Sequence, residues 1–575
     1  MKQNIFLLLY FLAVLSKLQG QSPLRIANVT IIHPETAATQ SARDIWLEGG
    51  KITAIKSHKS LTPQKGETVI DATGKWVIPG LTDGHVHFFQ SGGLYARPDI
   101  IDLRSLRSAA GETNRVKSQS ADFAHRYLSC GITTVCDMGG PFSNFEIRES
   151  ARKDSFSPDL YVTGPLISSY QPEELGFDDP PILLVKTPEA AREIVRALLP
   201  YKPDYIKIWY IVRRGESPES FRPIAEAVAD EAHTHGLPLA VHATQLETAR
   251  IAVMAGADIL VHSVDDQIVD EDFVNMLAEK KVSYIPTLVV SENYSRVFSQ
   301  EMAFLPEDFD IANPYTLGSL MDLQHIEKED IPADMRQRIF APFVPSARKK
   351  TMYENLRRLQ AAGVNIVTGT DAGNIGTLHA SSYYSETEAM RAAGMTPEEI
   401  LRACTVNPTK MLKPYNQQQM IAPGKPADLV ILEENPLENI RNLSQVQWVI
   451  RKGVVISPET LITASPEMIA QKQLNAWNQG NIDKYAACFS DSVEVYNYPN
   501  KLLYKGKKAL YDNYEPFFAA NRGAHCEIAN RMVAGDVVID EELIQLPKQS
   551  ERFRVIAIYD VKQGQITAIR FIWPD

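Results

Sequence analysis

Six residues of this chain have the types and placement to hold metal ions: His85, His87, Lys207, His242, His262 and Asp371. His85 and His87 stand two apart in "GLTDGHVHF", and on an extended strand residues two apart project to the same side. His242 and His262 close the apolar runs "PLAVH" and "DILVH", and Asp371 closes "NIVTGTD". Imidazole and carboxylate groups converging on one place suit zinc or a similar divalent ion. Taken singly, a histidine near a strand end is more often a hydrogen-bonded structural group, and Asp371 alone would serve as a helix cap. The weight lies in their recurrence at the same end of successive strands. Lys207 is the unusual member. In "DYIKIWY" it stands among strand formers, and lysine is almost never fully buried unless something pairs with it. His233 and His235 in "HTHG" have the same two-residue spacing but end a helical pattern, where residues two apart do not share a face; they are rejected as ligands.

The elements that must position these residues are legible as an alternation of strand and helix. The strand candidates are "GLTDGHVHF", "GITTVCDM", "DLYVTG", "DYIKIWY", "PLAVHA", "DILVHS", "SYIPTLVV" and "NIVTGTDA", with helical stretches such as "PIAEAVADEAHTHG" and "NLRRLQAAG" between them. Eight strands alternating with helices predict an α/β chain whose centre, residues 80–420, is a (β/α)8 TIM barrel, with chemistry at the C-terminal ends of its strands. The long segments after strands one, three and seven leave from that end and are expected to shape a pocket. Strand-rich pieces flank this centre: "LRIANVTII", "RDIWLEGGKITAIKS" and "KGETVIDATGKWVIPG" before it, "PADLVILEEN" and "VQWVIRKGVVIS" after it. They predict one small composite β-sandwich built from residues 23–79 and 421–460. From Ser465 onward a separate α+β unit, residues 465–575, is expected.

Composition excludes some functions. The 575-residue chain carries a formal charge of -11, and no basic stripe is present to neutralise a nucleic-acid backbone. Five cysteines spread over this length, with no CxxC, form neither a disulfide framework nor a thiolate metal site. Met1-Lys2 and the apolar run "IFLLLYFLAVL" read as a signal peptide over residues 1–20, too short to span a bilayer. No cysteine follows that run, so a lipoprotein is not expected. The expectation is a secreted or periplasmic protein without stable membrane insertion.

"VIPGLTDGHVHF" and "GTDAG" resemble the opening and the eighth-strand aspartate motif of the amidohydrolase superfamily. "GITTVCDMGG", the pair "VHA" and "VHS", and "APGKPADLVIL" are similar to its imidazolonepropionase-like and prolidase-like members. The resemblance runs in order from about Leu24 to Ser457. It implies two divalent metal ions, with His85, His87 and Asp371 on one and His242 and His262 on the other. Lys207, carboxylated to a carbamate, would bridge them. Burial favours the neutral amine that carboxylation needs. The implied reaction is metal-assisted hydrolysis of a carbon–nitrogen bond by a water shared between the ions. Asp371 is implied as acid and base, and His262 as a further catalytic group. Zinc, manganese and iron all suit these ligands, zinc being the first expectation. The implied substrate is a dipeptide, an N-acyl amino acid or a cyclic amide. Departures from the family pattern bear on substrate: Arg213 and Arg214 in "WYIVRRG", and His379 where relatives carry a His-Gly pair, are substrate-binding candidates.

The C-terminal unit resembles the SnoaL-like, or nuclear transport factor 2-like, superfamily on "WNQGNID", "YAACFSDSVEVY" and "YKGKKALYDNY". That implies an α+β cone, with Glu494, Tyr496 and His525 as polar pocket candidates, and a homo-oligomer formed through this domain. The alternative to an enzyme is a metal-containing binding protein whose C-terminal domain captures a small ligand or drives assembly. The intact ligand set with Asp371 favours the enzyme.

Overall fold

The computed structural model describes residues 23–573 apart from 340, 413–419, 463, 548 and 550. The expected signal peptide lies outside the described residues. No helix among the described residues is long and apolar enough to cross a membrane.

The centre of the chain is built on eight parallel strands: Leu81–Val86, Ile132–Asp137, Asp159–Val162, Ile206–Trp209, Leu239–His242, Ile259–Val261, Ser283–Ile285 and Asn365–Ile366. Each lies within its predicted motif and is shorter than it, because the motif's last residues turn out of the ladder to present side chains. The first three strands form one sheet. The other five form a second sheet, joined by two short strands not foreseen from the sequence, Leu166–Ser168 and Ile182–Leu184. Backbone bonds join the sheets at both edges. Asp204 N donates to Val162 O at 3.0 Å, Gly84 N to Thr368 O at 2.8 Å, and His87 N to Ala372 O at 2.8 Å. The strands are thereby linked in a ring. The first and eighth come so close that a Cβ on Gly84 would meet Val367 Cγ1 at 2.8 Å and Thr368 O at 2.9 Å.

Helices cover the outside, which is why these strands read as continuous apolar runs. Ile206 and Ile208 are fully buried in the core shared with Ala225, Val228 and Ala232 of helix Arg222–Thr234. Side chains alternate along a strand, so the pair that faces the helices sends Lys207 and Trp209 the other way. Burying each isoleucine contributes about 1.5–3 kcal/mol. A one-residue slip would expose both and drive the lysine into the helix layer.

The flanking pieces hydrogen-bond into one eight-stranded sheet, where a sandwich was expected from the sequence. Strand Trp76–Pro79 pairs antiparallel with Leu429–Leu432, placing Ile78 opposite Val430. The chain before the ring is thus tied to the chain after it, around a core that includes Ile31, Val77, Ile431 and Ile450.

The C-terminal unit is a six-stranded sheet with helices Pro466–Asn478, Ile482–Ala487 and Lys507–Ala520. Three of its strands, Lys501–Lys505, His525–Ala534 and Val537–Gln545, were not foreseen from the sequence. Its first helix starts where Ser465 Oγ accepts from Met468 N at 3.2 Å, with Pro466 at the first helical position, both strong start signals. Phe489, Val495, Leu510, Phe518, Val538 and Ile569 lie in its core.

Candidate metal-binding active site

The ends of strands one, four, five, six and eight converge on one cavity of about 650 Å³, lined among others by His85, His87, Lys207, His242, His262 and Asp371. All six sequence-predicted residues therefore share one space. His85, His87 and Asp371 are the tightest set, each offering a ligand atom within 4.8 Å of the others. Asp371 Oδ1 lies 3.3 Å from His85 Nε2 and 3.1 Å from His87 Nε2. The His242 and His262 rings sit 4.3 Å apart, centre to centre, and His262 is 4.9 Å from the His85 ring.

The surroundings orient the donors. His87 Nδ1 donates to Gly139 O at 2.7 Å, which leaves the Nε2 lone pair facing inward, as a metal ligand requires. His262 Nδ1 lies 2.8 Å from Thr287 Oγ1. His262 and Asp371 both have left-handed backbones, φ 77° and 61°. Such strain in non-glycine residues persists where the surrounding structure enforces it, and it gathers at active sites. Asp83, fully buried, ties the two arms of the tight set together. Its carboxylate accepts from Thr370 N at 3.1 Å, Thr370 Oγ1 at 2.7 Å and His85 N at 3.3 Å. Burial, only partly opposed by those bonds, pushes its pKa up to about 7.

Three buried polar atoms in this cluster have no hydrogen-bond partner: Lys207 Nζ, His85 Nδ1 and Asp371 Oδ1. An orphaned buried polar group costs about 1–3 kcal/mol, so three together mark a place shaped for something that satisfies them. Lys207 is only 2% exposed. Burial pulls its pKa down to about 7, against the pull of Asp371. Burial, and then the positive ends of neighbouring groups, hold His85, His242 and His262 well below the ordinary histidine value. Neutral imidazoles, a neutral amine and a carboxylate are the forms that bind metal. The donor set fits a divalent ion at His85, His87 and Asp371, and the other three residues extend it.

The segments after strands one, three and seven all reach the cavity, through Arg97 and Asp99, through Leu166 and Ile182, and through Tyr294, Met335 and Arg338. Arg213 and Arg214, expected at substrate, are absent from this lining. Arg213 is bound by Glu216, with Nη2–Oε1 at 2.6 Å. The chain turns outward after strand four and carries both arginines into solvent. His379 is also elsewhere. It is 3% exposed, its Nε2 donates to Gln90 O at 2.8 Å, its Nδ1 accepts from Tyr127 Oη at 3.0 Å, and its ring stacks on Phe123. With both nitrogens engaged it holds the loop after strand one and has none left for a substrate. His233 and His235 pair with Asp258 and Glu231, away from the cavity lining.

Sequence reasoning missed Arg97, Asn374 and Tyr294. Arg97 Nη1 and Tyr294 Oη both donate to Asn374 Oδ1, and Asn374 Nδ2 donates to Asp371 O at 3.1 Å. These residues come from the segments after strands one, seven and eight, Tyr294 from the helix Val290–Ser299, without a shared motif; the only signal was the length of the segments themselves. In the C-terminal unit, Glu494 is bound to Tyr496 and Lys505 on the sheet edge, and His525 stacks on His325 of the central region. The cavity there, about 290 Å³, is lined instead by Trp477, Tyr514, Phe517, Phe571 and the buried Glu542.

Comparison with known proteins shows the family and the fold. The imidazolonepropionase of Geobacillus sp. (strain WCH70) is 24% identical over 451 residues, covering 72% of this chain and 89% of that enzyme. A dihydroorotase of Bacillus licheniformis is 55% identical over 69 residues, 12% of this chain and 15% of its own. Among solved structures, a Xaa-Pro dipeptidase with bound methionine matches with a TM-score of 0.59 at 21% identity, covering 76% of this chain and 100% of that one. The A. niger ochratoxinase matches at 0.56 and 18%, covering 76% and 97%; these two likenesses show the fold. A SnoaL-like domain matches residues 470–569. The amidohydrolase family, generally metal-dependent, matches residues 76–456. The chain therefore belongs to the amidohydrolase family, as a hydrolase of carbon–nitrogen bonds that carries a C-terminal SnoaL-like domain.

Proposed function

We propose that the ring of strands is a (β/α)8 barrel over residues 80–420 that hydrolyses the amide bond of a small substrate with two divalent ions, zinc by first expectation. The β-domain would comprise residues 23–79 and 421–460, and the C-terminal domain, residues 465–575, would be an NTF2-like cone. The observation that carries the reading is the Lys207 amine, buried and unpartnered among four histidines and an aspartate. A neutral amine adds carbon dioxide, forming an N–C bond and releasing one proton. The resulting carbamate would satisfy the site as an anionic ligand between the ions. His85, His87 and Asp371 would hold one ion, His242 and His262 the other. When bound, such ions lower the pKa of water and polarise a carbonyl. Asp371 takes the proton of the attacking water and returns it to the leaving nitrogen, while His262 helps hold the substrate carbonyl. The basic and apolar start of the sequence supports export to the periplasm or beyond. The substrate classes remain a dipeptide, an N-acyl amino acid or a cyclic amide.

The test is loading with carbon-13 bicarbonate and metal. Wild-type protein should hold about two ions per chain, lose amide hydrolysis on chelation, and show a carbamate carbon signal that Lys207→Ala lacks. Loading should rise with pH through about 7, because below the depressed pKa of Lys207 the amine is protonated and cannot add carbon dioxide. Full activity in Lys207→Ala with unchanged metal content rejects the two-ion reading.

A second role, capture of a small ligand by the C-terminal domain, is favoured by the aromatic cavity around Glu542. It is compatible with catalysis in the barrel and with a homo-oligomer formed through that domain.

A further inference from the structure

The C-terminal unit grips the segment that covers one side of the active-site cavity. This segment follows the seventh strand and has its own core, in which Leu317, Leu320, Ile331 and Met335 pack against Leu94 and Ile101 from the loop after strand one. On its outer side, Asn475 Nδ2 donates to Pro314 O at 2.7 Å, and Lys484 Nζ pairs with Asp310 at 2.7 Å. Asn475 is 1% exposed, so its hydrogen bond is costly to lose. On its inner side the same segment presents Met335 and Arg338 to the cavity.

Three cationic side chains line that cavity: Lys207, Arg97 and Arg338. Lys207 belongs to the metal-binding cluster. Arg97 is already neutralised, with Nε 2.8 Å from Asp99 Oδ1 and a second contact to Oδ2, and its remaining nitrogen serves Asn374 and Tyr294. Arg338 differs. Its Nη1 lies 3.8 Å from Met335 Sδ, and no carboxylate among the described residues lies within 4.0 Å of it. Arg338 is exposed at the cavity; Asp265 and Asp334 line the same space but make no ion pair with it, so its guanidinium is open to a ligand carboxylate, which it binds through two parallel hydrogen bonds.

We propose that Arg338 anchors a carboxylate of the substrate, and that the C-terminal unit, by holding the segment that carries Arg338, is part of the active site. This rests on the amide-hydrolase reading and narrows its substrate to N-acyl amino acids and dipeptides with a free carboxylate. It also assigns the role that the sequence pointed toward Arg213 and Arg214.

The test compares N-acetyl-L-phenylalanine with its carboxamide, following acetate release by metal-loaded, full-length protein. Arg338→Gln should raise KM for the acid about 10- to 100-fold, leave its kcat within about twofold, and leave the carboxamide unaffected. Asn475→Ala, checked for folding by thermal melting, should raise KM for the acid in the same direction by about 3- to 10-fold. Equal losses on acid and carboxamide, or none on either, overturn the role of Arg338. No effect of Asn475→Ala overturns the role of the C-terminal unit. If metal-loaded wild type hydrolyses neither compound, N-acyl amino acids are removed from the substrate classes of the proposed function. Calorimetric binding of N-acetyl-L-phenylalanine to wild type and Arg338→Gln then decides Arg338, and equal affinity, or binding to neither, overturns it.

Discussion

The cavity at the strand ends is about 650 Å³ and gathers six side chains of metal-ligating type, three of whose buried polar atoms have no partner. The cavity of the C-terminal unit is about 290 Å³ and is walled mainly by aromatic rings. Its one buried carboxylate, Glu542, accepts from Tyr559 Oη at 2.6 Å, which in turn accepts from Gln473 Nε2 at 3.0 Å. Both cavities shift the pKa values of buried groups, so a shifted pKa does not by itself separate chemistry from packing. Satisfaction does. A closed chain of hydrogen bonds is stable without a ligand, whereas orphaned donors and acceptors on several separate strands are stable only with something between them.

The sharpest break in this comparison would come from Asp371→Asn. With the proposed acid–base group gone, kcat should fall by about 10²- to 10⁴-fold, measured on any amide that the wild type turns over. A loss smaller than tenfold would remove Asp371 from proton transfer. The next effect is smaller and tests whether the orphaned cluster is held rigidly. Asp83→Ala removes the acceptor shared by Thr370 N, Thr370 Oγ1 and His85 N. Metal affinity, titrated against a competing chelator, should drop by about 10- to 100-fold. Unchanged affinity would mean that the tight set does not depend on the tie between strands one and eight.

The smallest effect concerns the satisfied cavity. Burial raises the Glu542 pKa to about 7, above its unfolded value. Its contribution to stability is therefore fully present below the unfolded pKa and is lost as pH rises through about 7. Glu542→Gln keeps the shape without the charge, so its melting temperature should exceed that of wild type by a few degrees at pH 8 and converge with it near pH 5. Turnover at the strand-end cavity should be unchanged. A loss of turnover would show that the two cavities act as one system.

Much of the active site was legible because its residues sit in periodic elements. His85 and His87 share a strand face, and Lys207, His242 and His262 each lie on a strand with its own apolar pattern. Arg213, Arg214 and His379 were misplaced because they lie beyond strand ends, where the direction of the chain depends on packing. Arg213 swings out to Glu216 and His379 is drawn in toward Tyr127. Arg97, Asn374, Tyr294 and Arg338 carried no pattern at all. They line one cavity because segments far apart in sequence fold over the same mouth. In the C-terminal unit, Glu494 and Tyr496 alternate correctly on a strand, but which face looks inward is set by the helices packed against the sheet.

The sequence by itself determined the alternation of strands and helices, the end of each strand at which chemistry gathers, and the six residues able to bind metal. Period-two and period-3.6 patterns are local, and burial of apolar faces gives them one consistent solution. Tertiary structure alone decided that Arg338 has no ion-pair partner among the described residues, whereas Arg97 meets Asp99 two residues along the chain. It also decided that the C-terminal unit holds the cover of the active site, through Asn475 and Lys484. That hold joins segments more than a hundred residues apart, which packing of the whole chain brings together and no local pattern encodes.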